Sequence, residues 1–89
     1  MQYKINKSLI LQKMDKNLVG FDVDRSFLYT FNETAEFIFK KIKIGWEEEK
    51  IVLALVKIYN VALPTLKKDV KSLIKDMVKN KIIYSTRSK

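Results

Sequence analysis

Ser-Phe-Leu-Tyr-Thr-Phe-Asn-Glu-Thr-Ala-Glu-Phe-Ile-Phe-Lys-Lys-Ile-Lys-Ile-Gly-Trp, residues 26 to 46, decides the fold of this chain. Phe27, Tyr29 and Phe31 alternate as one face of a strand. Asn32 follows at once and reads as an N-cap, its side chain placed to accept from a free amide of the first helical turn. Ala35, Ile38, Phe39 and Ile42 continue at helical spacing, and Gly45 stops the helix. A strand therefore runs into a capped helix with no loop of its own between them.

Working outward, the first third reads as strands. Leu9, Leu11 and Lys13 alternate with Ile10, Gln12 and Met14 before a polar turn at Asp15, Lys16 and Asn17. A second strand spans Leu18–Val23, with Val19, Phe21 and Val23 on one face and Gly20 marking a bulge or a close approach. Asp24 and Arg25 turn the chain into the third strand, Ser26–Phe31. Three strands with tight turns predict an antiparallel meander.

The rest reads as helices. Helix one is Glu33–Lys43 and helix two Glu47–Tyr59, whose opening glutamates suit the positive end of the helix dipole. Asn60 suits a left-handed helix end, and Pro64 a helix start. Helix three is Thr65–Lys79, with Leu66, Val70, Leu73, Ile74 and Met77 as its apolar stripe. Ile82, Ile83 and Tyr84 close the domain as a short strand or docked tail. Segregated strands and helices predict an α+β fold, winged-helix-like, in which a three-stranded antiparallel sheet is followed by three helices. One domain is expected over residues 1–89, with its core in about 9–84.

Composition narrows the chemistry. The chain has no Cys and no His, which excludes disulfides, a thiol nucleophile, histidine acid–base chemistry and the usual zinc sites. No Gly-rich phosphate loop, paired-carboxylate site or nucleophile–base pair can be assembled, so no enzyme, metal or cofactor is expected. No apolar run reaches the roughly 20 residues of a membrane span, and Met1–Lys7 lacks the apolar core of a signal peptide, so a soluble cytoplasmic protein is expected.

The net charge of +8 is unevenly spread: residues 57–89 hold nine basic groups against Asp69 and Asp76 alone. On helix three, Lys68, Lys71, Lys75 and Lys79 form one row with Lys67 beside it, suited to an acidic peptide, to phosphates or simply to solvent. The third strand is the other candidate. As the last strand of a meander it lies at a sheet edge, yet Phe27, Leu28, Tyr29, Thr30 and Phe31 include no Lys or Pro to blunt it. Such an edge is either covered or receives a strand from a partner, and Leu28 and Thr30 point outward if Phe27 and Phe31 go inward.

These elements resemble the PqqD family. Phe31-Asn32-Glu33-Thr34-Ala35 is similar to its Leu-Asn-Glu-Thr-Ala junction, with Phe31 for the usual Leu, and Phe39 stands where Trp is common. Gly45, the Leu55…Tyr59-Asn60-Val61 end of helix two, and Asp69-Val70 with Leu73, Met77 and Ile82-Ile83 follow the family's order and spacing. Asn80-Lys81 and the turn at Asp24-Arg25 depart from it by lacking a glycine. The resemblance implies a recognition element that binds the leader segment of a ribosomally made precursor peptide as an added strand, between the third strand and the third helix. The leader is then presented to a radical S-adenosylmethionine protein or a leader peptidase. By that resemblance the peptide site is Phe27, Leu28, Tyr29, Thr30 and Phe31 with Lys67, Val70, Lys71, Ile74 and Lys75.

Two competing readings remain. One is a winged-helix DNA-binding protein using helix three, disfavoured because that helix has no Arg, Asn or Gln to read bases and too little chain follows it for a two-stranded wing. The other is a subunit whose strand edge docks permanently to a larger enzyme. An exposed edge also leaves pairing with a second copy open.

Overall fold

The computed structural model describes residues 3–85. The elements in chain order are β1 (Tyr3–Ile5), β2 (Leu9–Met14), β3 (Asn17–Asp22), β4 (Phe27–Phe31), α1 (Glu33–Lys43), α2 (Glu48–Tyr59), α3 (Leu63–Lys79) and β5 (Ile83–Ser85). The meander is as expected: β2, β3 and β4 form one antiparallel sheet in that order. A second, two-stranded sheet pairs β1 with β5. The sequence reading foresaw its second strand but not its first, which is only three residues long.

The helix limits follow local chemistry. The Asn32 side chain accepts from the Ala35 amide at 2.8 Å, which starts α1. Gly45, at φ +94, ends it, with the Gly45 amide bonded to the Ile42 carbonyl and the Trp46 amide to that of Lys41. Asn60 takes the left-handed conformation at the end of α2. Pro64 sits in the first turn of α3, which begins two residues earlier than the periodicity indicated.

One core lies between the sheet and the helices. Phe31, Ile38, Phe39, Ile51, Leu55, Val70 and Met77 are essentially closed to solvent. Phe31 stands at the centre, its ring 4.8 Å from those of both Tyr29 and Phe39. Gly20 lies beneath it and leaves it room: a Cβ there would sit 3.3 Å from Phe31 Cε1 and from Leu11 Cδ2, a tight contact. This is the close approach that the glycine signalled, not a bulge, and the β3–β4 register runs unbroken through it.

Two carboxylates fasten the sheet to the remainder. Asp22 is buried and accepts from Asn6 Nδ2 and Arg25 Nε, each at 2.9 Å, and from the amides of Asp24 and Arg25. Asn6 also donates to the Lys81 carbonyl and Arg25 to that of Asn80, so one carboxylate gathers the β1–β2 turn, the β3–β4 turn and the α3–β5 turn. Glu36 on α1 accepts from Lys13 of β2 at 2.8 Å and pairs with Lys40 at 2.9 Å.

The bond from Arg25 holds Asp22 below the usual carboxylate range, and the bonds from Lys13 and Lys40 do the same for Glu36. A carboxylate whose folded pKa is depressed adds stability that is complete above its unfolded pKa, near 4, and is lost as pH falls through the folded value. The urea midpoint is therefore expected to fall between pH 7 and pH 3. Asp22→Asn should lower the midpoint at pH 7 and flatten that fall. Equal flattening by Asp15→Asn, an exposed turn residue, would remove the assignment to Asp22.

Candidate functional site

The direction of the free hydrogen-bonding groups on β4 follows from the register. Met14 pairs with Asn17 across a two-residue turn, and the Val23 amide bonds to the Ser8 carbonyl. In an antiparallel ladder bonded pairs alternate, so Asn17, Val19, Phe21 and Val23 bond toward β2, whereas Leu18, Gly20 and Asp22 bond toward β4. Their partners on β4 are Phe31, Tyr29 and Phe27. The amides and carbonyls of Leu28 and Thr30 therefore both point out of the sheet. Among the described residues, no other strand borders β4. The Leu28 side chain is 61% exposed on the face away from the helices, while Phe27, Tyr29 and Phe31 pack inward.

Across from this edge lies one flank of α3. The Tyr29 hydroxyl donates to Asp76 Oδ2 at 2.9 Å and so bridges strand and helix. Burial, then the hydrogen bond and the charge of Asp76, push the tyrosine hydroxyl far above its ordinary pKa. Where β4 passes into α1 the groove opens into a depression of about 510 Å³, lined by Asn32, Thr34, Tyr59, Val61, Leu66, Asp69, Ser72 and Leu73.

The structure places the sequence-derived residues unevenly. It keeps Phe27 to Phe31 together at the open edge. Val70 and Ile74 are 0% and 3% exposed and belong to the core, so they form the floor beneath the groove. Lys67 and Lys71 lie on the opposite flank of α3. Lys67 lines a recess with Glu48, Glu49, Val52, Leu53 and Leu63, and Lys71 Nζ lies 3.9 Å from Glu48 of α2. Lys75 comes one turn after Lys71 on that flank. Lys67 and Lys71 thus lie toward the start of α2, while Lys68, Lys75 and Lys79 are exposed.

The helix residues that do flank the strand are Asp69, Ser72, Leu73 and Asp76. Their spacing of 3, 1 and 3 was visible as a second helical row, but it was overshadowed by the charge of the lysines. Among the described residues no group of three or more His, Cys, Asp or Glu is placed to hold a metal ion. What the arrangement can do is accept an extended segment: main-chain donors and acceptors on one side, and apolar and carboxylate side chains on the other.

The family model described as Coenzyme PQQ synthesis protein D (PqqD) matches residues 17–83. The chain belongs to the PqqD family. That span takes in β3, β4 and all three helices, hence both walls of the groove. Two solved structures share the PqqD-family fold seen here. One, titled Lasso peptide synthetase B1 complexed with the leader peptide, has a TM-score of 0.88 and 16% identity, over 96% of this chain and 100% of that one. The other, TbiB1 in Complex with the TbiA(beta) Leader Peptide, has a TM-score of 0.84 and 18% identity, over 96% of this chain and 99% of that one. At these identities the likeness establishes the fold. No curated protein matches the chain. No helix of the described residues is long and apolar enough to cross a membrane.

Proposed function

We propose that this chain binds the leader segment of a ribosomally made precursor peptide as a fourth strand on β4 and presents it to a modifying or processing enzyme. It carries out no chemistry of its own. The observation that carries this reading is the bare edge at Leu28 and Thr30, which has no Lys or Pro and, among the described residues, no covering strand, and which borders a groove floored by α3. Support comes from family membership and from two proteins of the same fold whose structures are titled as leader-peptide complexes. Main-chain bonds along Phe27–Phe31 set the register. Alternate leader side chains turn toward Leu73, Asp69, Ser72 and Asp76, with the depression beside Tyr59 and Val61 holding a larger one. The radical S-adenosylmethionine protein or leader peptidase implied by the family resemblance is the proposed recipient.

A synthetic peptide spanning the leader of the precursor encoded with this chain is expected to bind one to one, at a micromolar Kd or tighter, about 8 kcal/mol or more. Amide exchange should slow at Leu28 and Thr30. Lys71→Glu combined with Lys75→Glu should change the affinity by less than roughly threefold at moderate salt, since both side chains lie exposed, where salt screens their charges. Protection centred on Trp46 or α2 would move the site elsewhere. Modification or cleavage of the precursor by the isolated chain would remove the non-catalytic reading.

A further inference from the structure

Ile51, Val52 and Leu55 bury one side of α2, and Lys50, Leu53 and Lys57 share its outward side at a spacing of three and four residues. Leu53 is 56% exposed and stands between two recesses. One, of about 250 Å³, is lined by Trp46, Lys50, Leu53, Ala54 and Lys57. The other, of about 170 Å³, is the recess that Leu53 shares with Leu63, Lys67, Glu48 and Glu49. The Trp46 ring is partly exposed, its centre 4.5 Å from Lys50 Nζ and 4.7 Å from Lys41 Nζ. A short apolar strip of Trp46, Leu53 and Leu63 is thus rimmed by Lys41, Lys50, Lys57 and Lys67. None of these residues lines the leader groove. An apolar centre holding a tryptophan, within a charged margin, has the make-up of a protein contact site.

We infer that this outer face of α2 docks an amphipathic helix of an acidic partner protein, one whose large aliphatic residue has Asp or Glu three or four residues to either side. The aliphatic residue enters a recess beside Leu53, and the carboxylates reach Lys50 and Lys57. The lengths agree: Lys50 and Lys57 stand about 10.5 Å apart along α2, as do two acidic residues seven apart on a partner helix. The net charge of +8 favours an acidic partner. A second copy of the chain fits badly. Packed antiparallel about Leu53, it sets Lys50 against Lys57 of the other copy and the reverse, because the two lysines flank Leu53 almost symmetrically. A phosphate backbone or an anionic membrane spread over the face would meet Glu48 and Glu49 in one recess and Glu47 beside Trp46. A helix centred on Leu53 meets those glutamates at one end only.

The test titrates the isotope-labelled full chain with three synthetic Ala-rich helical peptides of about 18 residues. The first carries Glu-x-x-Leu-x-x-x-Glu on one face, the second has Lys for both Glu, and the third has Ala for Leu. The first should bind saturably, with a Kd on the order of 100 μM for so small a contact, and should shift the Trp46 indole and the Lys50, Leu53 and Lys57 amides. The other two should bind at least about tenfold more weakly. Leu53→Ser should weaken the first peptide about tenfold, while Lys50→Glu with Lys57→Glu should reverse the preference, so that the Lys peptide binds better than the Glu peptide. All three positions are exposed, so urea midpoints should hold and leader affinity stay within about twofold. Equal binding of the three peptides, no saturable binding of the first, or its displacement by leader would overturn the inference. So would tighter binding of single-stranded DNA or phosphatidylglycerol vesicles at the same residues, or wild-type dimers that Leu53→Ser abolishes.

Discussion

Tyr29→Pro is expected to unfold much of the domain, whereas Leu28→Pro and Thr30→Pro leave it folded and each cost about tenfold or more in leader affinity. All three changes remove one N–H and fix φ near −65°. Their consequences differ because successive residues of a strand bond to opposite sides. The Tyr29 amide belongs to the β3–β4 ladder opposite Gly20. Its loss strands a carbonyl inside the sheet and displaces the ring that reaches Asp76, about 3 kcal/mol or more in all. Leu28 and Thr30 bond to nothing within the sheet, and proline is tolerated at an edge. What they lose is a donor to the incoming strand, about 1–2 kcal/mol, or near tenfold. Urea midpoints and leader titrations on the three variants make the comparison, with Tyr29→Phe separating the ring from the hydroxyl. If Tyr29→Pro proves as stable as Thr30→Pro, the strand's bonding direction has been assigned the wrong way round.

Phe31→Ala is the second large effect. Phe31 has no exposed surface, and its ring meets those of Tyr29 and Phe39 above the bare α-carbon of Gly20. Truncating a buried Phe costs about 3–5 kcal/mol. Small domains hold roughly 5–15 kcal/mol in total, and a chain this short lies toward the lower end. A large share of the protein is therefore expected to be unfolded at 37 °C. Leu28→Ala, with its side chain mostly in water, should change the urea midpoint by no more than about 0.5 kcal/mol allows. A Phe31→Ala midpoint within error of that of Leu28→Ala would deny Phe31 its central place.

The contrast between those two neighbours shows what the sequence could and could not disclose. Asn32, Gly45, Asn60 and Pro64 act through bonds and dihedral preferences confined to a few residues, and the helices begin and end where they indicate, to within two residues. β1 was illegible because three residues carry no usable period and their partner strand lies at the other end of the chain. The orientation of β3 runs against hydropathy. Val19, Phe21 and Val23 are its apolar set, yet Leu18, Gly20 and Asp22 face inward. Asp22 is drawn in by Asn6 and Arg25, and Gly20 makes room for Phe31, contacts that no local pattern encodes. In α3 the spacing revealed the lysine row but not which flank meets β4. The Tyr29–Asp76 bond and the Lys71–Glu48 pair are what assign it.

The β1–β5 pairing sets the order in which the domain can be completed. Tyr3 lies opposite Ser85, and the Asn6 amide bonds to the Ile82 carbonyl, so β1 has no partner strand until residues 83–85 have been made. The meander and α1 make mostly local contacts and can assemble during synthesis, N-terminal parts first. Closing the long loop between β1 and β5 comes last, although the entropic cost grows only with the logarithm of its length, about 0.6 kcal/mol per doubling. Removing residues 83–85 would thus be felt at both ends of the chain, since Tyr3 and Ile5 would lose the strand that seats them against the core. A chain that stops short of residue 83 can therefore have its open β4 edge in place while Tyr3–Ile5 still wait for a strand.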